Sequence, residues 1–195
     1  MRKTRLITAL SSIVLAVMVS ADTMQETATP VFEQMTWQTG DASIMTLFAP
    51  YIGRFASTRK TSPTGTEYFF TIHYQWYDSQ KTIVKYALTI EFPEKEESRE
   101  IGEGYYRFDR LTGRIGVVGV FRDGRSGAGF MTPFDVKTGS REARILAAQP
   151  DGSKGEVRDT FWVINDNTWG NRTYMRSGDT PWQQVSEDVY RRIEP

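Results

Sequence analysis

Residues 67–92, EYFFTIHYQWYDSQKTIVKYALTIEF, decide the fold. They read as two long strands joined by a short polar turn, Asp78-Ser79-Gln80. Tyr68, Phe70, Ile72, Tyr74 and Trp76 fall at every second position and share one face of the first strand. Val84, Tyr86, Leu88, Ile90 and Phe92 do the same in the second. Such alternation needs a sheet with one strongly apolar side. A bare apolar face and open edges invite aggregation, so the sheet must be covered or closed. The expected solution is a closed antiparallel barrel.

Downstream, the chain repeats the pattern. Pro93 ends the second strand, and the charge run at 94–100 reads as a solvated loop. Tyr106 and Phe108 alternate on a strand at 104–109, and Leu111-Thr112-Gly113 turns it. Ile115, Val117, Gly119 and Phe121 alternate next, before the hairpin signal Asp123-Gly124. A small-residue strand at 127–132 leads to a turn at 135–139. Strands follow at 141–149, 156–164, 168–176 and 182–191, parted by turns at 150–152, 165–167 and 178–181. Upstream, Asp41 caps a short helix at 41–49, with Ile44, Leu47 and Phe48 on one face, and Pro50 stops it. Gly53 then opens a strand at 54–60. The fold class is all-β: a single antiparallel up-and-down β-barrel of about ten strands with a short N-terminal helix. Strand–helix alternation is missing, which argues against a doubly wound sheet, and no fixed-length repeat points to a propeller.

Residues 1–21 read as a secretory signal, with Arg2, Lys3 and Arg5 before an apolar run at 6–19 and a cut after Ala21. The run is shorter than the roughly 20 residues of a membrane span, so no stable membrane anchor is expected once it is removed. Residues 22–39 read as a linker or N-terminal arm, and 40–195 as the barrel domain. The signal holds three basic and no acidic residues, so the remainder carries 21 basic against 24 acidic residues, net −3. No basic surplus points to nucleic acid. With no cysteine, the chain has no disulfide, thiolate metal site or cysteine nucleophile, and it must rely on its core for stability. The expected location is periplasmic or secreted.

The strand pattern resembles the lipocalin-like proteins of the calycin superfamily, and most closely a poorly characterised bacterial lipocalin-like family. The resemblance rests on the short helix with Ile52-Gly53-Arg54-Phe55 and on Tyr74-Gln75-Trp76. It rests also on Tyr106-Arg107-Phe108-Asp109 with Thr112-Gly113, and on Trp169, Trp182 and Tyr190-Arg191. It spans about 40–195. Phe55 stands where lipocalins usually have tryptophan. The related nitrobindin-like barrels bind haem through a histidine near the C-terminus, and this chain has none after His73, so that site does not carry over. The resemblance implies a small ligand inside the barrel and transfers no catalytic residue and no cofactor.

His73, the single histidine, alternates out of phase with the aromatic set and is expected to face outward. One histidine without cysteine makes a zinc site improbable. The stretch Gly124-Arg125-Ser126-Gly127-Ala128-Gly129 lacks the ending of a phosphate loop and the spacing of a nucleophile elbow. Asp151-Gly152-Ser153 and Asn165-Asp166-Asn167 are turn chemistry, and the sequon Asn171-Arg172-Thr173 falls inside a strand.

The lumen candidates are Tyr68, Phe70, Tyr74, Trp76, Tyr86, Phe108 and Phe121, with Arg107, Arg172 and Tyr174 as polar or aromatic strand residues of which one or more is expected to point inward and orient a ligand carboxylate. Three readings stand: an exported protein binding a small, mostly apolar or aromatic ligand without chemistry; an isomerase or hydrolase on the same barrel; or an envelope interaction module with a filled core. The lumen, open or packed, separates them.

Overall fold

The computed structural model describes residues 42–132 and 140–194. The signal at 1–21, the arm at 22–39, the cap Asp41 and the turn at 135–139 lie outside the described residues. Eleven strands follow a 3-10 segment, Ala42–Tyr51. They are β1 (Gly53–Ser57), β2 (Lys60–Thr61), β3 (Glu67–Trp76), β4 (Ile83–Phe92), β5 (Glu97–Asp109) and β6 (Arg114–Phe121). The remainder are β7 (Ser126–Met131), β8 (Ser140–Ala148), β9 (Lys154–Asn165), β10 (Thr168–Arg176) and β11 (Gln183–Glu194). Each strand from β3 to β11 pairs antiparallel with the next. β1 closes the ring by pairing with both β11 and β3. The result is a ten-strand barrel, with the two-residue β2 paired to β3 as an extra ribbon. Among the described residues no helix is long and apolar enough to cross a membrane.

The opening hairpin forms in the register that its alternation demands, with Tyr74 opposite Tyr86 and Ile72 opposite Leu88. Its turn is held by Asp78, whose carboxylate accepts from the Thr82 and Ile83 amides at 2.9 and 2.8 Å. Gly124 turns the β6–β7 hairpin at φ 89°, where only glycine sits without strain.

Two expectations need correcting. The charge run is mostly strand: β5 begins at Glu97, opposite Phe92, after the single turn Pro93–Lys95. Its charges pair along the barrel wall, Glu97 with Arg99 and Glu100 with Arg122, so a strand carries them without burying them. Near the N-terminus, a 3-10 segment that runs through Pro50 replaces the short helix. A 3-10 turn repeats every third residue, and the fully buried side chains are Met45, Phe48 and Tyr51. That spacing loads one edge of the segment and pushes it into the barrel end. Ten residues is long for this geometry, so tertiary contacts must hold it.

Two arginines supply them. Arg141 of β8 is 4 % exposed, donates to the Leu47 carbonyl at 3.2 Å and lies over the Phe48 and Tyr51 rings at 4.3 and 4.1 Å. Arg192 of β11 donates to the carbonyls of Ile52 and Pro50 and lies over Phe55. Above the segment, Tyr74, Tyr106, Phe161, Trp169 and Tyr190 complete one continuous core. Trp169 and Tyr190 stack with centroids 4.3 Å apart.

Backbone sets the shape of this core on one side. Gly104 of β5 and Gly119 of β6 face each other beneath the Tyr86 ring. A Cβ at Gly104 would collide with the Val118 carbonyl and with Tyr86; at Gly119 it would meet chiefly the Tyr86 hydroxyl. We therefore expect Gly104→Ala to cost about 1–3 kcal/mol, and Gly119→Ala to cost less. Tyr86→Phe should rescue Gly119→Ala but not Gly104→Ala. Urea unfolding of the single and double variants measures this, and equal costs without rescue would refute the packing account.

Candidate functional site

The barrel has two unlike halves. At the end closed by the 3-10 segment, the inward side chains are buried: Phe55, Val84, Phe108, Ile115, Val117, Met131 and Ala143 are each 8 % exposed or less. Toward the other end, Phe70, Leu88, Ile145, Val157, Asp159, Asn171 and Thr173 point inward yet keep partial exposure. Phe70, Leu88 and Ile145 also pack against the core, so this half is less tightly filled than the other. One wall of this half stays dry, where Tyr68, Ile90 and Phe92 pack with Phe70 and Ile101 into a second cluster.

The strands place the lumen candidates in two groups. Tyr68, Phe70, Tyr74, Trp76, Tyr86, Phe108 and Phe121 face inward. Tyr74 lies within 6.3 Å of both Tyr86 and Tyr106, ring centre to ring centre. Arg107, Arg172 and Tyr174 do not join them. Arg107 is exposed between buried Tyr106 and Phe108. Arg172 makes a two-pronged pair with Glu187 at 2.9 Å on the outside and lies over Trp162. Tyr174 sits under the Arg158 guanidinium on the same outer face. The reason is phase: Trp169 points inward, so Asn171 and Thr173 do too, and the residues between them point out. His73 is exposed on the outer face.

The polar groups that do face the lumen are others. Asp159 of β9 stands between Ala143 of β8 and Thr173 of β10. Its Oδ1 accepts from the Thr173 hydroxyl at 2.5 Å and from the Asn171 amide at 3.5 Å. Its Oδ2 takes no hydrogen bond from a described residue and is not sealed from the lumen. Burial pushes the Asp159 carboxyl up to about 6, with the Thr173 and Asn171 hydrogen bonds opposing the rise. Tyr86, Tyr106 and Tyr190 are held above their ordinary values chiefly by burial; the Asp159 charge adds to the rise in each, after Tyr86 for Tyr106 and after Asp188 for Tyr190. Asp188 of β11, 5 % exposed, is ion-paired with Lys60 at 2.6 Å, and Lys60 also lies over the Phe70 ring. Among the described residues no group of three or more histidine, aspartate or glutamate side chains could hold a metal ion.

Asp159, Asn171, Thr173, Asp188 and Lys60 were not among the sequence candidates. Counting by twos from Phe161, Trp169 and Tyr190 reaches Asp159, Asn171 and Asp188, so the signal was present. The sequon residue Asn171 has its side chain inside the barrel.

Asp159 makes stability depend on pH. Its carboxyl binds a proton more tightly folded than unfolded, so stability falls as pH rises from about 4 to about 6 and is flat above. Asp159→Asn should therefore raise the melting temperature at pH 7.5, by an amount equivalent to at most about 3 kcal/mol. The gain should vanish near pH 4. Calorimetry of both proteins across this range measures it, and a difference independent of pH would refute the burial of the charge.

Comparison with known proteins adds to the fold alone. No protein-family model matches the chain, and no curated protein matches it. Among solved structures it is similar to the crystal structure of Rv2717c from M. tuberculosis, at a TM-score of 0.54 and 17 % identity, over 80 % of this chain and 99 % of that one. At this identity the likeness establishes a shared barrel architecture.

Proposed function

We propose that this is an exported lipocalin-like binding protein that holds a small, mostly apolar ligand in the open half of its barrel. One observation carries the reading: inward side chains on several strands, Phe70, Leu88, Ile145, Val157 and Asp159 among them, remain accessible although they face away from the outer surface. A barrel of this size has room for one small ligand once part of its lumen is left unfilled. An apolar wall with a few convergent polar groups is the usual composition of such a site. The filled half, with its buried 3-10 segment, forms the floor.

The neutral dye N-phenyl-1-naphthylamine tests this. It should bind the purified protein with enhanced emission, and Ile145→Trp, which fills the lumen from β8, should weaken binding at least about tenfold while leaving the far-UV spectrum intact. Binding that ignores the substitution would remove the lumen as the site. The export part of the reading has its own check: mass spectrometry of the protein from its native envelope fraction should find Asp22 as the first residue, and an intact residue 1 would overturn it.

Asp159 also supports a second reading. A carboxyl raised to about 6 among tyrosines can serve as a general base, which would make the barrel an enzyme. Turnover of a bound native ligand, lost in Asp159→Asn, distinguishes this from simple binding.

A further inference from the structure

We infer that the ligand of the open half carries a protonated amine, and that the free oxygen of Asp159 takes it. The inference rests on the small-molecule reading above and adds the chemistry of the ligand's head. Oδ1 of Asp159 is occupied by Thr173 and Asn171, and Oδ2 has no donor among the described residues. A carboxylate acceptor left open inside a barrel is costly unless something with a proton to donate meets it. Among the described residues no cation pairs with it. Arg141, two positions from Ala143 along the neighbouring strand, is turned to the closed end and spends its guanidinium on Leu47, Phe48 and Tyr51. Lys60 is committed to Asp188.

The surroundings suit an ammonium group. It has three N–H donors and no acceptor. Oδ2 of Asp159 accepts one, and Tyr86, Tyr106 and Tyr190 lie close enough to feel the Asp159 charge. Tyrosine ring faces add attraction for a cation removed from water. A carboxylate ligand finds the opposite: an unpaired negative charge at the depth where its head would sit. The apolar body of the amine then lies toward Phe70, Leu88, Ile145 and Val157.

Every strand packed near Asp159 contributes to the charge that an incoming amine meets. β8 brings Ala143, with Arg141 turned away; β10 brings Asn171 and Thr173. β4 and β5 bring Tyr86 and Tyr106; β11 brings Tyr190 and the Asp188–Lys60 pair. Because Asp159 titrates near 6, amine binding strengthens as pH rises through that value.

Displacement of N-phenyl-1-naphthylamine by 1-aminooctane, 1-octanol and octanoate, three heads on one tail, tests the inference on the purified protein. At pH 7.5 the amine should displace the dye at a concentration at least about tenfold lower than the alcohol, with octanoate the weakest. At pH 5 the advantage should shrink, while the alcohol is unchanged. Asp159→Asn should abolish the preference and keep the dye. Dye binding with no amine preference, or a preference that survives both Asp159→Asn and pH 5, overturns the amine inference and leaves the lumen reading standing. Absence of dye binding together with absence of displacement-independent binding of all three octyl compounds by calorimetry overturns both.

Discussion

The closed end of the barrel depends on a cation without a carboxylate. Arg141 is buried, and what surrounds it is a backbone carbonyl and the faces of Phe48 and Tyr51, with Phe161 further off. Burial without an ion pair holds its basicity below the ordinary arginine value. The arrangement still suits arginine better than lysine, because a planar, weakly hydrated guanidinium stacks on rings and hydrogen-bonds at its rim. Through it, a 3-10 segment with no regular ladder of its own becomes part of the core. With that end shut, the less tightly filled part of the barrel lies toward the other mouth, and Asp159, Asn171 and Thr173 stand between the two.

Those groups owe their position to strand phase. β10 keeps one register with β9 from Trp169 to Arg176, which points Asn171 and Thr173 at the lumen beside Asp159. On its other edge the register with β11 slips after Thr173. The slip falls beyond these polar groups, so they stand on regular pairing. On the opposite side, glycines at 104 and 119 let Tyr86 lie flat on two strands, which keeps its ring from crossing the lumen.

Much of this was legible in the chain. The hairpin at 67–92 and the turns after it follow from alternation and from local turn chemistry, both of which act within a few residues. The barrel follows because an eleven-strand run with one apolar face has few other ways to hide it. From sequence the 3-10 segment reads as an α-helix because Ile44, Leu47 and Phe48 fit a helical stripe as well as Met45, Phe48 and Tyr51 fit a threefold one; only the shape of the barrel end decides between them. Phase alone suggests Arg172 and Tyr174 as inward groups only if the strand's anchor is left open; Trp169, buried in the core, fixes it and puts both outside. Asp159 was harder. An aspartate in a strand reads as a surface residue, and its value as an inward group appears only when Ala143, Thr173 and Tyr86 are brought around it from three other strands.

The closing seam has a consequence for how the molecule forms. Every pairing from β3 to β11 joins neighbours in the chain, and each can form once its hairpin is complete. The seam is different: Arg54 meets Glu194 across 140 residues. Loop closure over such a span comes late and slowly. Until β11 is synthesised and docked, β1 and the growing last strand each present an unpaired edge, which is the surface that chains use to join one another. The barrel is therefore most vulnerable to aggregation in the interval before β11 arrives.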